Sequence, residues 1–111
     1  MTLRKYDRDF FVEAHELLKL QGYRHYVQKL LPKGKWRGHE WIALNPTRDD
    51  KNLGSFCINC INGKWKDFAV NKGGSDLIGL TAYIKGITPL KACFYIGVPR
   101  PKSKVLGGRN V

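Results

Sequence analysis

Two runs of β-favouring residues, Leu53 to Ile61 and Lys64 to Val70, meet at Asn62-Gly63, a dipeptide whose readiness to take positive φ makes it the strongest short-range hairpin signal in the chain. The hairpin commits the centre of the sequence to an antiparallel sheet. A further strand is expected in Lys33 to Leu44, where Lys-Gly-Lys-Trp-Arg-Gly-His-Glu-Trp-Ile-Ala-Leu is rich in aromatic and β-favouring residues, with a break near Gly38 and an end at Asn45-Pro46. Thr47 to Asn52 reads as a charged loop. The sheet therefore has three or more strands.

Helical spacing brackets that sheet. Asp9 is placed to cap a helix with Phe10, Phe11, Ala14, Leu17 and Leu18 on one face, stopped by Gly22. Tyr26, Val27, Leu30 and Leu31 give a second helix from Tyr23, ended by Pro32. On the other side, Gly73-Gly74 reads as a flexible turn, Ser75 or Asp76 as the cap of a helix running to about Lys85 and closed by Gly86, and Thr88-Pro89 as the opening of a last helix toward Phe94. The expected architecture is a small α+β domain over residues 9–96, with a flexible N-terminus at 1–8 and a mobile basic tail or linker at 97–111, where few apolar side chains offset the entropy of ordering. Trp41, Phe56, Trp65 and Phe68 are the expected core aromatics, with Trp36 at the surface.

Charge points to a partner. Twenty Lys and Arg stand against nine Asp and Glu in 111 residues, a net +11, and the cations are spread along the chain. A folded body with that excess repels itself unless it meets a polyanion, so nucleic acid is the leading partner class and an anionic membrane surface the next. No apolar run reaches the length of a membrane span and the first residues lack the apolar core of a secretory signal, so a cytoplasmic protein without membrane insertion is expected. Three cysteines, an odd number, read as reduced thiols.

The order of two helices, a basic strand, a loop, a Ser55-Phe56 hairpin, Lys72-Gly73-Gly74 and an apolar helix resembles the N-terminal zinc-binding domain of bacterial and phage DNA primases, over residues 9 to 95. In that family a Cys-Pro-x-His motif after the first strand and a Cys-x-x-Cys motif at the end of the hairpin hold one zinc ion. Here Asn45-Pro46-Thr47-Arg48 and Asp67-Phe68-Ala69-Val70 take their places, so Asn45, Arg48, Asp67 and Val70 are degenerate ligand positions. Arginine and valine do not coordinate zinc, and Asn with a lone Asp offers too few donors. The resemblance therefore implies a zinc-ribbon-like fold with no metal and no cofactor, in which an Arg48–Asp67 ion pair replaces part of the cross-link.

Cys57-Ile-Asn-Cys60 is the one Cys-x-x-Cys in the chain, but inside a strand residues three apart face opposite ways, so ordinary structural thiols are expected. Lys72-Gly73-Gly74-Ser75-Asp76 could cradle a phosphate at a helix start, yet it lacks the further glycine and lysine of a nucleotide loop and reads better as a turn and cap. Basic and aromatic residues interleave in Lys33-Gly-Lys-Trp-Arg and Lys64-Trp-Lys, a pattern suited to single strands because cations track phosphates while rings stack on bases. Lys33, Lys35, Trp36, Arg37, Lys64, Lys66 and Lys72 are thus the candidate nucleic-acid-binding residues. The expected function is a non-catalytic DNA-binding module, single-stranded DNA being the first choice, in replication of a phage, plasmid or mobile element. Its acids are too scattered for the metal-binding carboxylate cluster of a polymerase. Two alternatives stand beside it: an adaptor that docks on a primase, helicase or polymerase, and a redox or zinc protein using Cys57, Cys60 and Cys93.

Overall fold

Each half of the chain supplies two helices, and all four pack around one face of a sheet. A computed structural model describes residues 5–100, with helices α1 (Lys5–Gln21), α2 (Tyr23–Leu30), α3 (Leu77–Lys85) and α4 (Pro89–Ile96), and strands β1 (Gly34–Arg37), β2 (Glu40–Ala43), β3 (Phe56–Asn59), β4 (Trp65–Asp67) and β5 (Lys72–Gly74). The strands form one antiparallel sheet in sequence order, β1-β2-β3-β4-β5. This is the small α+β architecture expected from the sequence.

Several boundaries differ from expectation for identifiable reasons. α1 starts at Lys5, ahead of the expected Asp9 cap, because nothing in Lys5 to Arg8 is a helix breaker. The stretch at 33–44, read as a strand broken near Gly38, is two strands folded back at Gly38-His39 so that Arg37 faces Glu40. Gly73-Gly74 is not a turn but part of edge strand β5, and the turn precedes it, with Asn71 at φ 53°. At the C-terminal end the packed body runs past residue 96, since Val98 is buried and its amide donates to the Cys93 carbonyl at 3.1 Å. The expected basic tail from residue 101 onward lies outside the described residues.

Capping follows the sequence closely. Asp76 Oδ1 accepts the Gly79 amide at 2.7 Å to start α3, and Gly86 ends it in the left-handed region at φ 65°. Thr88 Oγ1 accepts the Lys91 amide at 3.2 Å to start α4, with Pro89 in its first turn.

The sheet register sorts side chains into two faces. Toward the helices point Trp36, Trp41, Ile58 and Trp65, aligned across β1 to β4, and in the next row Ala43, Phe56 and Asp67. Ala14, Leu18, Val27, Leu77, Leu80 and Ala92 from the helices meet them in one core. Both fully packed indoles satisfy their N–H: Trp41 donates to the Leu31 carbonyl at 2.8 Å and Trp65 to the Asp76 carbonyl at 3.0 Å. Trp65 also stacks on Tyr83, centroids 5.1 Å apart, and meets Phe56 edge-on at 6.4 Å. Gly74 lies directly under this indole, so that an added Cβ would fall 2.7 Å from Trp65 Nε1. Deeper in, the Tyr26 hydroxyl and Thr81 Oγ1 are 2.6 Å apart, and burial pushes the Tyr26 hydroxyl pKa up to about 12.

Trp65→Ala should destabilise the fold by about 3 to 5 kcal/mol, the range for a buried aromatic. Gly74→Ala should cost about 1 to 3 kcal/mol by overpacking the same ring. Urea unfolding measures both, and a midpoint unchanged in either variant would contradict the packing described here.

Candidate nucleic-acid interface

The sheet face turned away from the helical core is buried at its centre, at Ile42 and Cys57, and carries cations around that centre. By register, Lys35, Ile42, Cys57, Lys66 and Gly73 form one transverse row on it, and Arg37, Glu40 and Asn59 the next, extended to Lys64 by the Asn59 amide donating to the Lys64 carbonyl at 2.8 Å. A shallow groove of about 510 Å³ runs over β3 to β5, with Glu40, Asn59, Asn62, Lys64, Lys66 and Phe68 among its lining residues. Lys35, Lys64 and Lys66 have no ion-pair partner among the described residues, whereas Arg37 Nη2 is held by Glu40 Oε1 at 2.7 Å.

Of the seven residues expected at the interface, Lys35, Arg37, Lys64 and Lys66 share this face. Three do not. Trp36 alternates to the helix side, half-buried against Trp41 at 4.8 Å and covered by the Arg24 guanidinium 4.2 Å from its ring. Lys72 pairs in register with Asp67, in the row that faces the helices, and its position is exposed at the sheet edge. Lys33 precedes β1 and lines a separate cavity of about 430 Å³ with Leu31, Asn45, Arg48 and Asp50.

Phe68, expected in the core, is instead 67% exposed and lies 5.7 Å from Lys66 Nζ. Strand alternation explains the reversal: Trp65 and Asp67 point inward, so Lys66 and Phe68 point out. That period-2 pattern was the available signal, outweighed by the apolar character of the ring.

Next to the interface lies a polar cluster at the degenerate ligand positions. Asp67 is fully buried, and its carboxylate accepts four hydrogen bonds: Arg48 Nε at 2.9 Å and Asn45 Nδ2 at 2.8 Å on Oδ2, Arg48 Nη2 at 3.1 Å and the Ala69 amide at 3.0 Å on Oδ1. The expected Arg48–Asp67 ion pair is therefore present. Burial pushes the Asp67 carboxyl pKa up, but the bonds from Arg48, Asn45 and Ala69 together outweigh it and hold the group below its ordinary value. Arg48 also reaches Asp50 at 3.2 Å and Ser55 Oγ at 2.8 Å, and Asn45 Nδ2 donates to the Tyr83 hydroxyl at 3.0 Å. Asn45, Arg48 and Asp67 thus converge, while Val70 is 44% exposed in the β4–β5 turn.

The cysteines separate as strand geometry requires. Cys57 belongs to the outer face, 3.7 Å from Arg37 Nη2, while Cys60 lies in the β3–β4 turn and packs toward the core. Burial raises both thiol pKa values, and that of Cys93 to about 11. Among the described residues no three His, Cys, Asp or Glu side chains gather in a group able to hold a metal ion.

Because the folded Asp67 carboxyl titrates below an unfolded one, near 3.9, its ionised form stabilises the fold above about pH 4 and that contribution is lost as pH falls through the folded value. Asp67→Asn should lower stability by about 1 to 3 kcal/mol at pH 7 and flatten the acid limb of urea midpoints between pH 5 and 3. An unchanged acid limb would remove Asp67 as its source. Comparison of the chain with family models, with curated proteins and with solved structures finds no match.

Proposed function

We propose that this domain is a non-catalytic module that binds single-stranded DNA on the outer face of its sheet, in replication of a phage, plasmid or other mobile element. The observation that carries the reading is that Lys35, Arg37, Lys64 and Lys66 share the sheet face opposite the helical core with one carboxylate, Glu40, among them, in a chain of net charge +11. A flat cationic face suits a phosphate backbone that can lie across strands. The face carries no carboxylate cluster of the kind that positions metal ions for polymerisation, which favours a holding role over synthesis. The meeting of Asn45, Arg48 and Asp67 in one network supports the likeness to a primase zinc ribbon, since three of the four degenerate ligand positions come together, with exposed Val70 outside the network. A second reading, docking on a primase, helicase or polymerase, draws on the exposed edge strand β5, which pairs only with β4 and could accept a partner strand.

Fluorescence anisotropy with a labelled oligonucleotide across a salt series separates the two. Wild type should bind without strong sequence preference, with log affinity falling linearly in log salt, and Lys35→Gln with Lys66→Gln should flatten the slope by roughly 0.7 per lost phosphate contact. Affinity that is absent, or indifferent to salt, would leave the docking reading in its place.

The ribbon likeness has its own test. The combined substitutions Asn45→Cys, Arg48→His, Asp67→Cys and Val70→Cys should yield a protein that takes up one zinc ion and loses stability on chelation. A variant that folds and takes up no zinc would count against the likeness without touching the DNA-binding reading.

A further inference from the structure

Phe68 is the one large aromatic ring on the cationic sheet face, and everything around it holds it outward. Its amide donates to the Ser55 carbonyl at 2.8 Å, and the next residue's amide donates to buried Asp67, so the backbone on both sides is fixed while the ring stays 67% exposed. Lys66 Nζ is 5.7 Å from the ring centroid. Beside Lys66 across the sheet lies Gly73, where an added Cβ would stand 3.2 Å from the Lys66 side chain and 2.8 Å from the Trp65 carbonyl oxygen. The floor of the groove next to Lys66 is therefore bare backbone.

The far side of the groove supplies hydrogen-bond donors. Asn59 Oδ1 accepts the amides of Ile61 at 2.8 Å and Asn62 at 3.2 Å, and Asn62 Oδ1 accepts the Lys64 amide at 2.9 Å. These bonds orient each carboxamide with its oxygen inward. The two Nδ2 groups have no partner among the described residues.

We infer that the groove is a nucleobase subsite, in which one base of a single strand stacks on Phe68 over the bare backbone of β5, its flanking phosphates meet Lys64 and Lys66, and the amide nitrogens of Asn59 and Asn62 face acceptors on its edge. The inference rests on the single-strand reading above. Charge selects the occupant: a ring flanked by lysines suits a polyanion that carries flat bases, and a duplex, whose bases are already stacked in pairs, cannot present one to the ring.

The test compares wild type and Phe68→Ala on a labelled oligothymidylate and on an abasic strand of the same length. Because the ring is exposed, the variant should keep the wild-type urea midpoint. It should bind oligothymidylate roughly 5- to 150-fold more weakly, with unchanged salt slope, and bind the abasic strand like wild type. Phe68→Trp should restore affinity, and a 2-aminopurine in the strand should be quenched by wild type but not by Phe68→Ala. Equal weakening on both strands, or none on either, would overturn the subsite while leaving the DNA-binding reading intact. Failure of wild type to bind either strand would overturn both.

Discussion

The rest of the structure depends on a carboxylate with no access to water. An ionised Asp in that position is costly unless every lone-pair direction is occupied, and Asp67 is filled by two bonds from Arg48, one from Asn45 and one from the Ala69 amide. The two side-chain partners come from the segment between β2 and β3, the carboxylate from the end of β4. The cluster thus ties a long loop to the sheet through a side chain that cannot relax without exposing a buried charge. Tyr83 carries the tie on to α3, because its hydroxyl accepts from Asn45 and Thr47 while its ring stacks on Trp65.

That tie also reaches the outer face. The β4–β5 turn is held at its start by the Ala69 amide on Asp67, so the backbone just after Phe68 is anchored by the same carboxylate. Inside, the apolar row of Trp41, Ile58 and Trp65 does the packing and its indole N–H groups are all spoken for by backbone carbonyls. Alternation gives the helical core to one face, while on the other Ile42 and Cys57 are also buried and the lysines and Phe68 around them stay exposed or half-exposed.

Much of this was legible in the sequence, and the failures share a cause. Helix periodicity, a cap at Ser75 or Asp76 and another at Thr88, and a hairpin around Asn62-Gly63 were readable from local signals, whereas the meeting of Arg48 with Asp67 followed only from the family resemblance. Misread were Gly73-Gly74, Trp36 and Phe68, each placed by residue type without the strand pairing or parity that fixes its face. The glycines look like a turn, but Gly74 is demanded by the Trp65 indole nine positions earlier, which lies over it and donates to the Asp76 carbonyl. Trp36 turns inward because the β1–β2 hairpin pairs it with Trp41, and Phe68 turns outward because it stands three positions after inward-facing Trp65. The break near Gly38 was expected, but that it closes a hairpin with a two-residue turn at Gly38-His39 needs the register with Glu40, which no local composition states.

The kind of cation left free on the outer face bears on what that face can recognise. Arg37, the guanidinium there, is shared with Glu40 at 2.7 Å in an exposed ion pair, so the two-pronged hydrogen bonding by which arginine reads guanine edges or grips a phosphate has to compete with that carboxylate. What remains are lysines, compact point charges on flexible stems that follow a phosphate wherever it lies. A face of this composition would favour any single strand over a particular sequence. Selectivity for single over double strands would then fall to whatever requires an unstacked base, and on this sheet the one group placed to make that demand is the ring of Phe68.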